Sequence, residues 1–239
     1  YGYAAAASNH DGNEAIHLLE ERRLPEALAR IEAHCAASHE ATLKVMSLGM
    51  IAKAGILLGE REAAADALRR AAEVTKEAGV LSPWHQSIHH LAQLLFDVTA
   101  LEAAAARGDR SHRRALRRAA LGSARRAIRT ASKVAKERAE TYNLAGRLWW
   151  ALGHPTRAYK WWRRSIAEGT RMGARPELAR TYMDIGRRIG AAVLDDADGP
   201  AYLQRAARMF TELDLAWDLQ QLDRFESEAG AVEQHSAVA

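Results

Sequence analysis

Cysteine is almost missing from this chain: Cys35 is the only one in 239 residues. One thiol closes no intrachain disulfide and builds no thiolate-rich zinc site, so an apolar core must hold the fold together, and a reducing cytoplasm is the expected location. Proline is scarce, with five in the chain, and aromatic residues make up 6%. No run of about 18 apolar residues is present, and Tyr1 to Asn13 has no basic segment leading into an apolar one. A membrane span and a secretory leader are therefore not expected. An initiating Met is also lacking, so the chain is expected to be a piece of a longer protein.

The motifs of common chemistries are equally sparse. No glycine-rich phosphate loop, nucleophile elbow or zinc-protease helix occurs. His85 and His89 stand at i and i+4 and share a helix face, but no third ligand accompanies them, and a metal site needs three or four. Asp195, Asp196, Asp198 and Gly199 look like part of a calcium loop, yet Leu194 and Arg205 occupy positions that need an Asp and the closing Glu. Cys35, with His34 beside it and His39 four residues on, reads as a small buried hydrophobe on an Ala-rich helix. The expectation is a non-enzymatic chain without a metal or a cofactor; if the parent protein is an enzyme, its chemistry lies elsewhere.

What the chain has in abundance is alanine, 51 residues against 17 Val and Ile together, which favours helix over strand. The helices repeat. Tyr142, Ala145, Gly146 and Trp149 form a bulky, small, bulky face on one helix; Leu152-Gly153 supplies a turn, and Ala158, Trp162 and Ser165 repeat the logic on a second. Upstream, Leu58-Gly59 precedes Ala64, Leu68 and Ala71 at the same spacing. Downstream, Tyr182, Ile185, Gly186 and Ile189 follow the first helix at an offset of 40 residues, with Leu203, Ala206 and Phe210 after an Asp-rich loop. Leu24, Ala27 and Ile31 form a weaker copy near the start.

On these residues the chain resembles the tetratricopeptide repeat family. The resemblance implies an all-α, right-handed superhelical array of helical hairpins closed by a C-terminal capping helix. Repeats are expected over 13–40, 41–79, 80–138, 139–175 and 176–214, with a cap over 215–228 and flexible tails over 1–12 and 229–239. The 80–138 repeat is elongated, a helix from Ser82 to Ala106, a turn at Gly108-Asp109 and a second helix from Ser111 to about Arg138, with Ser82 and Ser111 as caps. Together with the tract Ala174 to Arg187, it is similar to the helical regions of large bacterial signalling ATPases, nucleotide cyclases and maltose-regulator-like transcription factors. In the cap, Trp217, Leu219 or Leu222, and Phe225 are expected to face the last repeat.

Charge is unevenly spread. Between Arg107 and Arg138 twelve Lys or Arg meet only Asp109 and Glu137, a local surplus of +10 in a chain whose net charge is +4. Arg114, Arg118, Arg125, Arg129 and Lys133 fall on one face of the second long helix, opposite Leu116, Ala120, Ala124, Ile128, Ala131 and Val134. No aromatics interleave with these arginines, which counts against single-stranded nucleic acid.

The repeat register maps Lys53, Asn143, Arg147, Trp150, Arg180, Asp184 and Arg187 onto the inner surface expected of such an array, a predominantly cationic groove. Trp149 and Trp162 take core positions, while Trp150 and Trp161 lie about 100° round their helices. The family resemblance implies protein–protein interaction. The expected function is thus a non-catalytic scaffold within a larger signalling or regulatory protein, its groove receiving an acidic or extended partner segment. Two alternatives stand beside it, an effector-sensing domain of an ATP-dependent regulator or cyclase, and nucleic-acid binding through the Arg-rich helix 111–138. A membrane partner is not expected; a homo-oligomer is compatible with the sequence.

Overall fold

The structure is a computed structural model that describes residues 3–109 and 111–238, with side chains over 12–109 and 111–228. Among the described residues it is all helix apart from turns and one isolated bridge between Leu194 and Ala197. The helices are α1 (Tyr3–Glu20), α2 (Leu24–Ala37), α3 (Ala41–Leu58), α4 (Arg61–Ala78), α5 (Pro83–Ala106) and α6 (Arg113–Ala131). They continue as α7 (Arg138–Ala151), α8 (Pro155–Met172), α9 (Arg175–Ile189), α10 (Gly199–Glu212) and α11 (Ala216–Val238). Within each unit the helices pack mainly on elements one or two away in the chain, the contact pattern of an all-α array. The chain divides into two compact units, Tyr1–Ser165 and Ile166–Ala239.

In the first unit the core follows the small-and-bulky logic of the sequence. Ala67, Leu68 and Ala71 on α4 are buried with Leu48 and Ala52 of α3 and Ala92 of α5, and Ala64 is buried beside Gly55 of α3. Leu91, Leu94, Leu95, Val98 and Leu101 of α5 meet Ala120, Ala124 and Ala127 of α6 and Leu144 and Leu148 of α7. Gly49 brings the α3 backbone against α5, since a Cβ there would sit 2.7 Å from the His89 nitrogen. Helix α3 is long and apolar enough to cross a membrane by length and composition, a stretch that simple apolar-run counting passes over because Lys44 and Lys53 interrupt it. Here its Val45, Leu48, Met50, Ala52 and Ala54 are buried, and α2, α4 and α5 pack around it.

The second unit is built likewise. Ala179 and Met183 of α9, Ala206 and Phe210 of α10, and Leu215 and Leu222 at α11 form its core. Gly186 and Gly199 allow α9 and α10 into backbone contact, a Cβ on Gly199 falling 2.7 Å from the Gly190 carbonyl oxygen. Asp198 caps α10, its Oδ1 accepting from the Ala201 N–H at 3.0 Å. In the last helix Leu222 turns fully inward, while Trp217, Leu219 and Phe225 are only half-buried.

Several boundaries differ from expectation. Helix α6 stops at Ala131 rather than near Arg138, because Arg138 begins α7 and its side chain folds back, Nε donating to the Ala131 carbonyl at 2.8 Å and satisfying an open helix end. Ser111 does not cap α6: its hydroxyl and its N–H both donate to Asp109 Oδ1, and His112 takes the cap position. Ser82 does stand at the cap of α5, but its hydroxyl pairs with His85 Nδ1 at 2.9 Å instead of with the helix backbone. Segments 1–12 and 229–239, expected as tails, are helical over their described residues, α1 reaching back to Tyr3 through an alanine run and α11 reaching Val238. Tyr1, Gly2 and Ala239 lie outside the described residues.

Candidate functional site

The expected groove cations are all engaged within the fold. Lys53, Asn143, Arg147 and Trp150 belong to the first unit, and Arg180, Asp184 and Arg187 to the second. Lys53 is buried and its Nζ donates to Glu140 Oε2 of α7 at 2.5 Å, with Arg22 approaching the other carboxylate oxygen at 3.9 Å. Arg147 makes a bidentate pair with Glu102, Nη2 to Oε2 at 2.6 Å and Nε to Oε1 at 3.2 Å, tying α7 to α5. Asn143 is buried. Trp150 is half-buried, its ring 5.7 Å from Trp162 and 6.2 Å from Tyr159. These cations were expected to face a partner; in the fold each faces an internal carboxylate.

The second unit repeats the pattern. Arg180 is buried and donates from Nη2 to Asp218 Oδ2 at 2.8 Å and from Nη1 to Glu177 at 3.1 Å. Asp184 accepts from Arg188 Nη1 at 2.8 Å. Arg187 donates to the Gln221 carbonyl and lies over the Phe225 ring at 5.2 Å. Neither Arg147 nor Arg187 is the exposed side chain expected, since both are half-buried. Charge reversal at either removes a fold contact before it touches any partner.

The other candidate surface behaves oppositely. Arg114, Arg118, Arg125, Arg129 and Lys133 are all exposed, and none of these five side chains makes a hydrogen bond or ion pair with a described residue. Arg113 and Arg117 are exposed on the same helix, α6, whereas Lys133, expected on it, lies past its end at Ala131. The apolar stripe behind them is real: Ala120, Ala124, Ala127 and Ala131 are buried, so the core fixes which way the arginines point. The sequence's expectation of an opposing apolar face is met at Ala120, Ala124, Ala131 and Val134, whereas Leu116 and Ile128 are half-buried.

Sequence reasoning missed that the basic region runs past Arg138. Residues 107–165 hold seventeen Lys or Arg and three Asp or Glu, a surplus of fourteen positive charges. Arg157, Lys160 and Arg164 on the first part of α8 are exposed, the Arg157 guanidinium lying 4.6 Å from the Trp149 ring and that of Arg164 4.7 Å from the Trp161 ring. Trp149 is thus half-covered by an arginine rather than buried, while Trp162 is fully buried as expected. A count of charge per window extending to residue 165 carries this signal. Helices α6 and α8 both pack on α7, the latter through Trp162 at Gly146 and through the Ser165 hydroxyl donating to the Ala139 carbonyl at 2.7 Å.

The histidines divide. His85 pairs with Ser82, but His89 is buried, 5.5 Å from the His90 ring, and His90 Nδ1 meets Thr130 Oγ1 of α6 at 2.8 Å. Thr130 in turn donates to the Arg126 carbonyl, so His90 Nδ1 carries the proton and donates. Burial, and then the positive charges of His90 and Arg126, push His89 down to about 4; burial, then Arg126, does the same for His90. The unfolded chain takes up these protons below about pH 6.5 while the folded chain resists until about pH 4, so stability is complete above 6.5 and falls as pH drops between them. Urea midpoints at pH 7 and pH 5 will differ accordingly, and the variant His89→Gln/His90→Gln will narrow that difference. An undiminished difference in the variant assigns the acid sensitivity to other groups.

Among the described residues no three His, Cys, Asp or Glu side chains converge as metal ligands. The cleft at Cys35, with an open volume near 370 Å³, is lined by Lys44, Leu48, Arg70, Glu73, Val74 and Glu77, and burial pushes the thiol's pKa up, the wrong direction for a nucleophile. Compared with protein-family models, curated proteins and solved structures, the chain matches none.

Proposed function

We propose that this chain is a non-catalytic interaction module, a tetratricopeptide-like array that binds an anionic macromolecule through the exposed face of α6. Support for the repeat reading comes from recurring packing of one kind: Gly146 under Trp162 and Gly186 under Leu203, each a glycine on a first helix receiving a larger side chain from the second, with Ala52 and Leu68 buried in one cluster at the matching positions. A superhelical stack of such hairpins within a larger signalling or regulatory protein is the corresponding architecture.

One observation carries the binding assignment. Of the cations of the expected groove, Lys53, Arg147 and Arg180 are held by Glu140, Glu102, Asp218 and Glu177 and Arg187 by the Gln221 carbonyl, whereas Arg114, Arg118, Arg125, Arg129 and Lys133 are exposed with no acidic partner among the described residues. A cluster of unneutralised like charges on one helix raises the local potential and costs folding stability through self-repulsion, and an anionic partner relieves it. Heparin, used as a generic polyanion, will bind with a steep salt dependence. Arg118→Glu combined with Arg125→Glu will weaken that binding at least about tenfold without lowering the thermal melt, since both side chains are exposed and the change relieves like-charge repulsion along α6. Unchanged affinity in the double variant overturns the assignment.

A further inference from the structure

Glycine in the middle of a helix is unfavourable, second only to proline, so an internal glycine needs a reason. In this protein the reason is nearly always visible. Gly49, Gly146 and Gly186 each admit a neighbour within 3.0 Å of where a Cβ would stand, and Gly12, Gly55 and Gly169 have one within 3.4 Å. Gly122, inside α6, is the exception among the helix-interior glycines whose surroundings are described: a Cβ there would meet only the flexible end of Arg126, at 3.7 Å. No packing among the described residues requires it.

Its position supplies the reason. At about 100° per residue, Arg114, Arg125, Arg118, Arg129 and Gly122 fall within a sector of about 80° on α6, opposite the buried Ala120, Ala124, Ala127 and Ala131. Gly122 lies one turn beyond Arg118 and one turn before Arg125 and Arg126. The arginine stripe, about 22 Å from Arg114 to Arg129 at about 1.5 Å per residue, therefore has a notch at mid-length along one edge, overhung only by the flexible end of Arg126, where a ligand can approach the helix backbone with guanidinium groups above and below.

We infer that this notch seats the sugar-phosphate backbone of a nucleic-acid duplex. The inference rests on the α6 face being the binding surface and goes further by naming what binds there. Three features select phosphates over an acidic protein segment or a single strand. Every cation of α6 is arginine, whose planar fork matches phosphate oxygens two at a time. The large exposed apolar side chains are Leu58, Val80, Trp84, Met172 and Val193, none on α6, so this face lacks the buried anchor that carries a protein–protein interface. No aromatic residue lies on α6 to stack an unpaired base. A regular line of phosphates needs neither anchor nor stacking platform; it needs charge in register and room to come close.

The test uses the full chain, a labelled 20-base-pair DNA duplex, the matching single strand, heparin and anionic phospholipid vesicles, with affinities read by fluorescence anisotropy or co-sedimentation. Gly122→Ala and Gly122→Gln are the informative variants, because both favour the helix and will raise the melting temperature. They will nonetheless weaken duplex binding, about threefold for Ala and at least about tenfold for Gln as the notch fills. Heparin, a flexible chain that does not need the close approach, will bind both variants as it binds the parent. Duplex affinity unchanged in Gly122→Gln overturns the notch, and tighter binding to the single strand or to vesicles overturns the choice of a duplex. Heparin binding insensitive to Arg118→Glu/Arg125→Glu is the separate result that removes the α6 face itself.

Discussion

Trp162→Ala will lower the stability of the first unit by about 3–5 kcal/mol, the cost of deleting a fully buried indole whose surroundings relax only in part. Trp162 sits at 0% exposure, and its ring lies over Gly146, where a Cβ would fall 2.8 Å from Cε2 and nearer still to Nε1 and Cδ1. Trp150 and Tyr159 rings close the site at 5.7 Å and 6.1 Å. Gly146→Leu fails for the converse reason, overpacking, with a loss of about 1–3 kcal/mol. The two changes are complementary in volume, so Leu at 146 in the Trp162→Ala background will restore part of the lost stability instead of adding to the damage. The indole Nε1 is buried without a hydrogen-bond partner, and Trp162→Phe, which removes that unsatisfied donor, will cost far less than alanine. Denaturant midpoints followed by circular dichroism decide the matter; a Trp162→Ala cost below about 1 kcal/mol, or simple additivity with Gly146→Leu, means the pair does not form the filled contact.

That contact was legible in the sequence because both partners sit in one hairpin, in a register that repeats elsewhere along the chain. The same holds for Ala64, Leu68 and Ala71, which are buried at the spacing that marks Ala158, Trp162 and Ser165. The α6 face was legible for a different reason: charge segregated by helical period needs no knowledge of tertiary structure. The internal partners of the groove cations were not legible because they are remote, Glu140 lying 87 residues from Lys53, Glu102 45 from Arg147, and Asp218 38 from Arg180. Periodicity places a side chain on a face but says nothing about a carboxylate arriving from another repeat. The early end of α6 escaped for the same reason, since an arginine seven residues on satisfies its last carbonyls. Gly122 was overlooked because what marks it is open space beside it, visible only once the neighbours of every other internal glycine are known.

Asp218→Ala will destabilise the second unit by about 3–5 kcal/mol, the cost of breaking a buried ion pair from one side. Asp218 is 1% exposed and receives three hydrogen bonds from Arg180, which is itself 7% exposed: Nε to Oδ1 at 3.1 Å, Nε to Oδ2 at 3.2 Å and Nη2 to Oδ2 at 2.8 Å. Glu177 holds Nη1 at 3.1 Å but cannot replace the bidentate clamp, so the variant leaves a guanidinium desolvated beside alanine. The clamp joins α9 to α11, and its loss will also make α11 more susceptible to limited proteolysis, because the contacts of Leu215, Leu219 and Leu222 and the weaker hold of Arg187 on Gln221 and Phe225 then carry that helix on the unit. Removing both charges is a different perturbation. Arg180→Met with Asp218→Leu exchanges the ion pair for apolar volume and avoids the lone charge, so the double variant will be more stable than Asp218→Ala and close to the parent. Urea unfolding of the three proteins, with protease susceptibility of α11 as a second readout, separates the roles open to Arg180. If Asp218→Ala and the parent unfold alike, the arginine is not held by the fold and is available to a ligand after all; a loss rescued by the double apolar variant makes it a structural tie, in keeping with the face of α6 as the proposed cationic binding surface.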